Sequence, residues 1–204
     1  MDDKKAHWET IYENKNDQEV SWYQPKPVTS LKLIQSINPA KKAAIIDIGG
    51  GNSGLISELQ QLGFTNLSML DISGKAIDRA KAKAPAPQKI NWIVSDILDF
   101  VPTHQYFIWH DRATFHFLTN QDDIHSYIKL SAESIVDQGF LILSGFSTSG
   151  PKKCSGLDIK QYSAEKLKKL FSDYFILENS FEEIHETPFN SEQSFVFTLF
   201  RRVV

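Results

Sequence analysis

The sequence predicts an α/β protein built on a mostly parallel sheet, and three features carry that expectation. Residues 43–48 form an apolar, β-branched run that ends in Gly49-Gly50-Gly51, the pattern of a buried parallel strand breaking into a tight turn before a helix. Short apolar runs at 67–71, 90–94, 106–109 and 139–146 alternate with segments of helical periodicity, the order from which parallel sheets are made. Residues 175–185 and 194–203 then alternate around Pro188-Phe189-Asn190, which reads as an antiparallel closing pair.

At 204 residues the chain fits one domain, 1–204, in which residues 1–40 make an N-terminal helical appendage to a core over 41–204. Its hydrophobic content of 41% is enough to fill a sizeable core. A net charge of −3 without a basic tract gives no electrostatic footprint for nucleic acid or an anionic membrane, so neither is an expected partner. Met1-Asp2-Asp3-Lys4-Lys5 is charged and no apolar run follows it; neither a signal peptide nor a membrane span is expected there, and the expected location is the cytoplasm. The single cysteine, Cys154, has no partner for an internal disulfide or a CxxC metal site and is expected to be a free structural thiol.

The N-terminal helix is predicted over 5–14, where Trp8, Ile11 and Tyr12 share one aromatic face. After a polar turn at 14–19 comes Trp22-Tyr23, stopped by Pro25. Two bulky aromatics ahead of the core make either a lid over a ligand or an apolar plug for the sheet edge. Residues 28–38 predict an amphipathic helix with Thr29 or Ser30 as its N-cap and Pro39 beyond its end.

The glycine turn is a ligand site by its chemistry. Glycine reaches positive φ, and the missing Cβ lets a ligand approach the backbone of Gly49, Gly50, Gly51 and Asn52. As Gly49-x-Gly51-x-x-Gly54 the turn is a dinucleotide fingerprint; as Asp47-x-Gly49-x-Gly51 it is the strand-end motif of proteins that use S-adenosylmethionine. Asp47 favours the second reading, because a carboxylate repels a pyrophosphate but attracts an ammonium and a sulfonium. The same sulfonium is attracted to the face of Trp22 or Tyr23. A Walker-type phosphate loop is excluded, since no Gly-Lys-Ser/Thr follows.

A helix is predicted over 53–62, ended by Gly63. Asp71 closes the next strand about twenty residues past the glycines, where a carboxylate accepts both ribose hydroxyls and would repel the 2′-phosphate of NADP. Ile72 stands beside it on the cofactor side, and Ser73 caps a helix over 75–84, which frees Asp71 for the ligand. Strand 90–94 ends in Ser95-Asp96-Ile97, placing Asp96 to bond the adenine amino group and Ile97 to pack on the ring, with Asp99 a weaker candidate.

Strand 106–109 runs into His110-Asp111-Arg112-Ala113-Thr114-Phe115-His116. Open α/β sheets bind ligands at the carboxyl ends of their strands, so this cluster falls on the acceptor side. His110 serves as general base or orients the acceptor and is also expected to touch the cofactor, Arg112 holds an anionic acceptor bidentately, and Asp111 and His116 complete the set. The alternative for Asp111 and Arg112 is that they pair with each other. His110 and His116 lack a third metal ligand, so no metal is expected. A helix over 122–137, a Gly/Ser/Pro loop over 148–157 that reads as a substrate cover, and a helix over 163–171 capped by Ser163 complete the chain.

Asp47-Ile-Gly-Gly-Gly-Asn, Asp71-Ile-Ser, Ser95-Asp96-Ile97 and the closing hairpin together resemble the class I S-adenosylmethionine-dependent methyltransferases over nearly the whole chain. Trp109-His110-Asp111-Arg112-Ala113 is similar to the Trp-Asp-Arg-Gly stretch of thiopurine methyltransferases, and more distantly to the Asp-Lys-Gly stretch of some protein lysine methyltransferases. Trp8 and Trp22-Tyr23 are similar to the early tryptophans that cover the cofactor in the thiopurine enzymes. The chain departs from the pattern at Ser53, where a third glycine is common, and at Phe107, where an acid often sits. The resemblance implies a Rossmann-like seven-stranded sheet, mostly parallel with the last strand antiparallel and helices on both faces. It also implies S-adenosylmethionine as cofactor, S-adenosylhomocysteine as product, and in-line methyl transfer to a small thiol, amine or carboxylate, driven chiefly by alignment. A protein lysine is the alternative acceptor. An NAD-dependent oxidoreductase and a non-catalytic S-adenosylmethionine sensor are the alternative functions; a sensor would have the channel to His110 and Arg112 plugged by Trp22 or Phe115.

Overall fold

The computed structural model describes residues 3–203; Met1 and Asp2 of the predicted charged N-terminus, and Val204 at the end of the predicted domain, lie outside the described residues. The chain opens with α1 (Asp3–Asn14) and α2 (Val28–Ile37), then alternates β1 (Ile45–Ile48), α3 (Leu55–Gln61), β2 (Leu67–Asp71), α4 (Gly74–Lys83), β3 (Ile90–Val94), β4 (Tyr106–Arg112), α5 (Gln121–Ser134) and β5 (Ile135–Phe146). A two-stranded ribbon of β6 (Lys153–Cys154) and β7 (Leu157–Asp158) lies within the predicted 148–157 loop and just beyond it, followed by α6 (Ala164–Phe171), β8 (Phe175–Glu186) and β9 (Glu192–Arg202). The main sheet has seven strands in the order β3-β2-β1-β4-β5-β9-β8. The first five are mutually parallel, and β9, the last strand of the chain, runs antiparallel to both neighbours. This is the expected Rossmann-like arrangement.

Alternation along the central strands divides the core between the two faces. Ile46 and Ile48 of β1 and Trp109 of β4 pack with Tyr127 of α5 and Phe171 of α6, whereas Ile45 and Ile108 pack with Ile34 of α2, Leu59 of α3 and Ile77 of α4. Each β1 residue is buried, as a strand covered by helices on both faces requires.

Several boundaries differ from the sequence reading, each for a local reason. α5 stops at Ser134 rather than 137, because the β-branched Ile135 is fully buried in β5 and pairs with Tyr106; the register slip before Ile108–Phe140 is absorbed at Gln138, whose φ is 59°. β4 runs past Trp109 to Arg112, since His110 and Asp111 pair with both β1 and β5. α3 begins at Leu55 rather than Ser53. Pro27 occupies the N-cap of α2; the hydroxyl of Ser30 instead meets His110, and that of Thr29 donates to Glu183.

The N-terminal appendage is clasped to the core by charge. The Glu9 carboxylate accepts from Ser73 Oγ at 3.0 Å and from the backbone N–H groups of Gly74 and Lys75 at 2.8 and 3.3 Å, so α1 caps the N-terminus of α4 from outside the helix. Ser73 itself caps α4, as expected, by accepting from the N–H of Ala76. Asp17 pairs with Lys83 and accepts from the Asn52 side chain, while Lys83 also donates to the Asn52 carbonyl, which joins this segment to the glycine turn.

Burial works to raise the Glu9 carboxyl, but the donors of Gly74, Ser73 and Lys75 outweigh it and hold the group below its ordinary range. A depressed carboxyl contributes stability above its unfolded pKa and loses it as the pH falls through the folded value. Glu9→Ala should therefore lower the unfolding free energy by about 1 kcal/mol at neutral pH, the usual worth of a cap. Urea unfolding should show the difference from the parent shrinking once the pH is taken below 4.5, the ordinary value for this group.

Candidate active site

The site is built at the carboxyl ends of β1, β2 and β4. Gly49 and Gly51 hold φ of 59° and 55°, in the left-handed region that glycine enters without cost. A Cβ on Gly49 would collide with the Thr114 hydroxyl, one on Gly51 with the Tyr12 hydroxyl, and one on Gly50 would lie 2.7 Å from Asp47 Oδ2. The turn therefore admits only glycine against the side chains packed on it. The N–H of Gly51 donates to Asp71 Oδ2 at 2.8 Å and the N–H of Ser73 to Asp71 Oδ1 at 2.8 Å, which fixes this carboxylate at the end of β2. Burial pushes the Asp71 carboxyl up to about 6, against the pull of those two donors.

Two lobes of one cleft open around the turn. The first is walled by Asp71, Ile72, Ser95, Asp96 and Ile97 on the β2–β3 side, with Trp8 and Phe117 also in its lining. The second lies between Asp47, the glycine turn, Asn52, Ser30, His110 and Tyr23. Tyr12, Trp22, Gly49 and Arg112 belong to both walls and mark where the lobes meet. Asp96 accepts from the N–H of Leu98 at 2.9 Å, and the Ser95 hydroxyl donates to the Asp96 carbonyl. Trp8 meets Trp22 and Phe117 edge-on, with ring centroids 5.7 and 5.3 Å away, so the appendage roofs the first lobe with aromatic rings.

The second lobe contains a buried polar chain. Asp47 and His110 are register neighbours on β1 and β4, and Asp47 Oδ1 lies 2.7 Å from His110 Nδ1; His110 Nε2 lies 2.8 Å from Ser30 Oγ. Both ring nitrogens of His110 are thus engaged within the protein, which suits orientation better than general-base work. Arg112 donates through Nη1 to the carbonyl of Trp22 at 3.1 Å and lies over the Phe195 ring, 4.9 Å from its centroid. Its Nε has no hydrogen-bond partner among the described residues. Burial lowers the Arg112 pKa to about 10, partly offset by the fields of Glu183, Cys154 and Asp47, and the group remains a cation at neutral pH.

Two expected site residues face elsewhere. Asp111 projects from the opposite face of β4, where Oδ1 accepts from the N–H of Thr114 at 2.8 Å and Oδ2 from the Tyr127 hydroxyl at 2.6 Å. It builds the turn that presents Thr114, and strand alternation keeps it from pairing with Arg112. His116 is 1% exposed, packed on Phe146 and Phe117, with Nδ1 accepting from the N–H of Phe146 at 3.4 Å. Burial pushes its pKa down to about 3, so the ring is neutral, and it lines neither lobe. Phe115, a candidate plug, is buried against Tyr127, Tyr162 and Phe171 away from the cleft. Among the described residues no group of His, Cys, Asp and Glu is arranged to hold a metal ion.

Sequence reasoning missed Tyr12, Ser30, Thr114, Phe117 and Cys154 as wall residues. For Tyr12 a signal existed, because it shares a helical face with Trp8. Cys154 is free, as expected, and burial pushes its thiol up to about 12, so it forms the wall as a neutral group.

Burial also raises the Asp111 carboxyl to about 6, despite the hydrogen bonds from Tyr127, Thr114 and Phe115. A carboxyl raised above its unfolded value of 3.8 contributes stability below that value and loses it as the pH rises through about 6. Asp111→Asn should flatten the decline of unfolding free energy across that window, measured by urea unfolding at stepped pH; an unaltered slope would contradict the burial of an ionising group here.

A model described as a methyltransferase domain matches residues 46–143, from β1 to β5. The chain is 32% identical over 158 residues to the malonyl-[acyl-carrier protein] O-methyltransferase 2 of Ilyobacter polytropus, a match covering 70% of this chain and 58% of the relative. It spans about half the length of the curated relatives it matches. Among solved structures it is similar to the N-methyltransferase NodS of Bradyrhizobium japonicum in complex with S-adenosylhomocysteine, at 13% identity and a TM-score of 0.68, covering 96% of this chain and 98% of that one. It is also similar to the 1,6-didemethyltoxoflavin-N1-methyltransferase of Burkholderia thailandensis, at 11% identity and a TM-score of 0.74, covering 98% of this chain and 88% of that one. These two likenesses are of fold. The domain match over residues 46–143 and the sequence match to the Ilyobacter O-methyltransferase, on a fold with a glycine turn after β1 and acids closing β1 and β2, support a class I S-adenosylmethionine-dependent methyltransferase.

Proposed function

We propose that this protein moves a methyl group from S-adenosylmethionine to a small acceptor that carries a carboxylate. The reading is carried by the two-lobed cleft, which sets Asp71, Asp96 and Ile97 in one lobe and Asp47 with the glycine turn in the other, joined at Trp22 and Arg112. The site suits the cofactor: the glycine turn lines the second lobe beside Asp47, and among the described residues Asp47 Oδ2 has only a 3.4 Å hydrogen bond from the Ser53 hydroxyl. When bound, S-adenosylmethionine supplies an activated methyl on a sulfonium whose leaving group is neutral.

The chain's own residues then do four things. Asp71 accepts the ribose hydroxyls, while Asp96 accepts from the adenine amino group and Ile72 and Ile97 cover the ring. Asp47 and the turn N–H groups take the amino-acid end. Trp8 and Phe117 shield the first lobe and Trp22 the junction of the lobes from water, with Tyr23 lining the second lobe. Arg112, a half-buried cation whose buried Nε–H has no partner among the described residues, favours an anion and disfavours a protonated amine. A carboxylate is already ionised at neutral pH and needs no base, which suits a cleft whose histidine is fully engaged. The O-methyl transfer in the names of the Ilyobacter relatives supports the same acceptor class. Of the two candidate plugs of a sensor, Phe115 lies away from the cleft, whereas Trp22 stands at the junction of the lobes. A single domain over 1–204, with 1–40 as lid to the 41–204 core, and a cytoplasmic location belong to the same proposal; no described helix is long and apolar enough to cross a membrane.

Calorimetric titration with S-adenosylhomocysteine and with NAD tests the cofactor. Saturable binding of S-adenosylhomocysteine alone is expected; binding of NAD alone, or of neither, would overturn the proposal. Asp71→Ala should weaken S-adenosylhomocysteine about tenfold or more in a folded protein, the worth of two hydrogen bonds to a charged group. Parental affinity should decline as the pH falls through about 6, where Asp71 protonates and stops accepting both hydroxyls.

Arg112→Met keeps the stem on Phe195 and removes the charge. In a screen of small carboxylic acids with isotopically labelled S-adenosylmethionine, this variant should lose transfer about a hundredfold while S-adenosylhomocysteine affinity changes by no more than about threefold. Weakened cofactor binding with unimpaired transfer would assign Arg112 to the cofactor instead.

A further inference from the structure

We propose that Ser30, His110 and Asp47 form a positioning relay that aims one oxygen of Asp47 at the ammonium of the cofactor and so makes α2 part of ligand recognition. The inference rests on the reading that the amino-acid end of S-adenosylmethionine lies over the glycine turn.

The three side chains come from α2, β4 and β1 and are 1%, 3% and 2% exposed. Their polar atoms form one line: Ser30 Oγ to His110 Nε2 at 2.8 Å, then His110 Nδ1 to Asp47 Oδ1 at 2.7 Å. An ionised Asp47 puts the ring proton on Nδ1, which leaves Nε2 to accept the Ser30 hydroxyl. One oxygen of the carboxylate is thereby pinned. The other, Oδ2, faces Gly50, the position at which a Cβ would stand 2.7 Å away, and among the described residues receives only the long bond from Ser53. A carboxylate held at one oxygen and under-occupied at the other, in a closed wall, is arranged to accept a charged donor from the cleft. The imidazole keeps that oxygen on the turn by preventing rotation about the Asp47 side chain, and Ser30 fixes the tautomer and plane of the imidazole. His110 touches no acceptor in this arrangement; it acts through Asp47 and is a positioning residue.

The test compares two ligands that share the adenosine moiety. S-adenosylhomocysteine carries the ammonium, and 5′-methylthioadenosine lacks the whole amino-acid end. Affinities are measured by calorimetry for the parent, Ser30→Ala, His110→Phe and His110→Asn, with folding checked by thermal unfolding. Ser30→Ala should weaken S-adenosylhomocysteine about fivefold and His110→Phe about thirtyfold or more, with 5′-methylthioadenosine held within about twofold. His110→Asn, whose amide replaces the Nδ1 donor, should recover most of the loss. Equal losses for both ligands, or none for either in the variants, would overturn the relay; Ser30→Ala decides the matter if His110→Phe does not fold. A parent that binds both ligands equally would also overturn the relay while leaving the adenosine lobe intact, whereas a parent that binds neither would overturn the cofactor reading itself.

Discussion

The parallel register of β1 between β2 and β4 is the constraint on which the ligand side of this protein depends. It sets Asp47 beside His110 at the carboxyl end of a strand whose four residues are all buried. A carboxylate in that position would cost several kcal/mol if left without a partner, and the imidazole offsets the cost. Since the pairing leaves the second carboxylate oxygen toward the glycine turn, the backbone that must approach it can carry no side chain. Gly50 meets that demand through its missing Cβ, and Gly49 and Gly51 through their positive φ.

Strand alternation at the end of β4 divides one charged cluster into a site and its scaffold. His110 and Arg112 face the cleft, while Asp111 faces α5 and accepts from Tyr127, whose hydroxyl also accepts from the Trp109 indole at 3.1 Å. That second network holds the turn carrying Thr114 and Phe117, so a residue outside the cleft still shapes its wall. Buried networks of this kind earn their place by fixing one conformation, since each unmatched partner would be costly.

The N-terminal appendage supplies the roof and is held there by charged groups together with packed aromatic rings. Glu9 on the first turn of α4 and Asp17 between Lys83 and Asn52 fasten α1 and the following turn to the nucleotide-binding half, while Trp8, Tyr12 and Trp22 face the cleft. Exposed ion pairs are weak and screened by salt, and backbone donors at a helix N-terminus are stronger partners. Arg112 adds a tie from inside through the Trp22 carbonyl, so the group placed for the acceptor also touches the roof.

The sequence by itself determined the parallel sheet, its antiparallel last strand, the glycine turn and the acids at the ends of β1, β2 and β3. All of these follow from patterns within a few residues: β-branched runs, a glycine triplet that only positive φ and close approach explain, and carboxylates closing apolar strands. The tertiary structure decided which of the polar residues at the end of β4 reach the cleft. Periodicity could not separate His110 and Arg112 from Asp111 and His116, because β4 extends further than its apolar run and alternation operates only once the strand is formed. Ser30 read as a helix cap because its partner lies 80 positions away, and Tyr12 read as a packing residue because its hydroxyl meets Gly51 only after α1 folds over the turn. Local propensity is written in neighbouring residues, but a hydrogen bond between distant segments exists only when packing of the two halves has fixed the space between them.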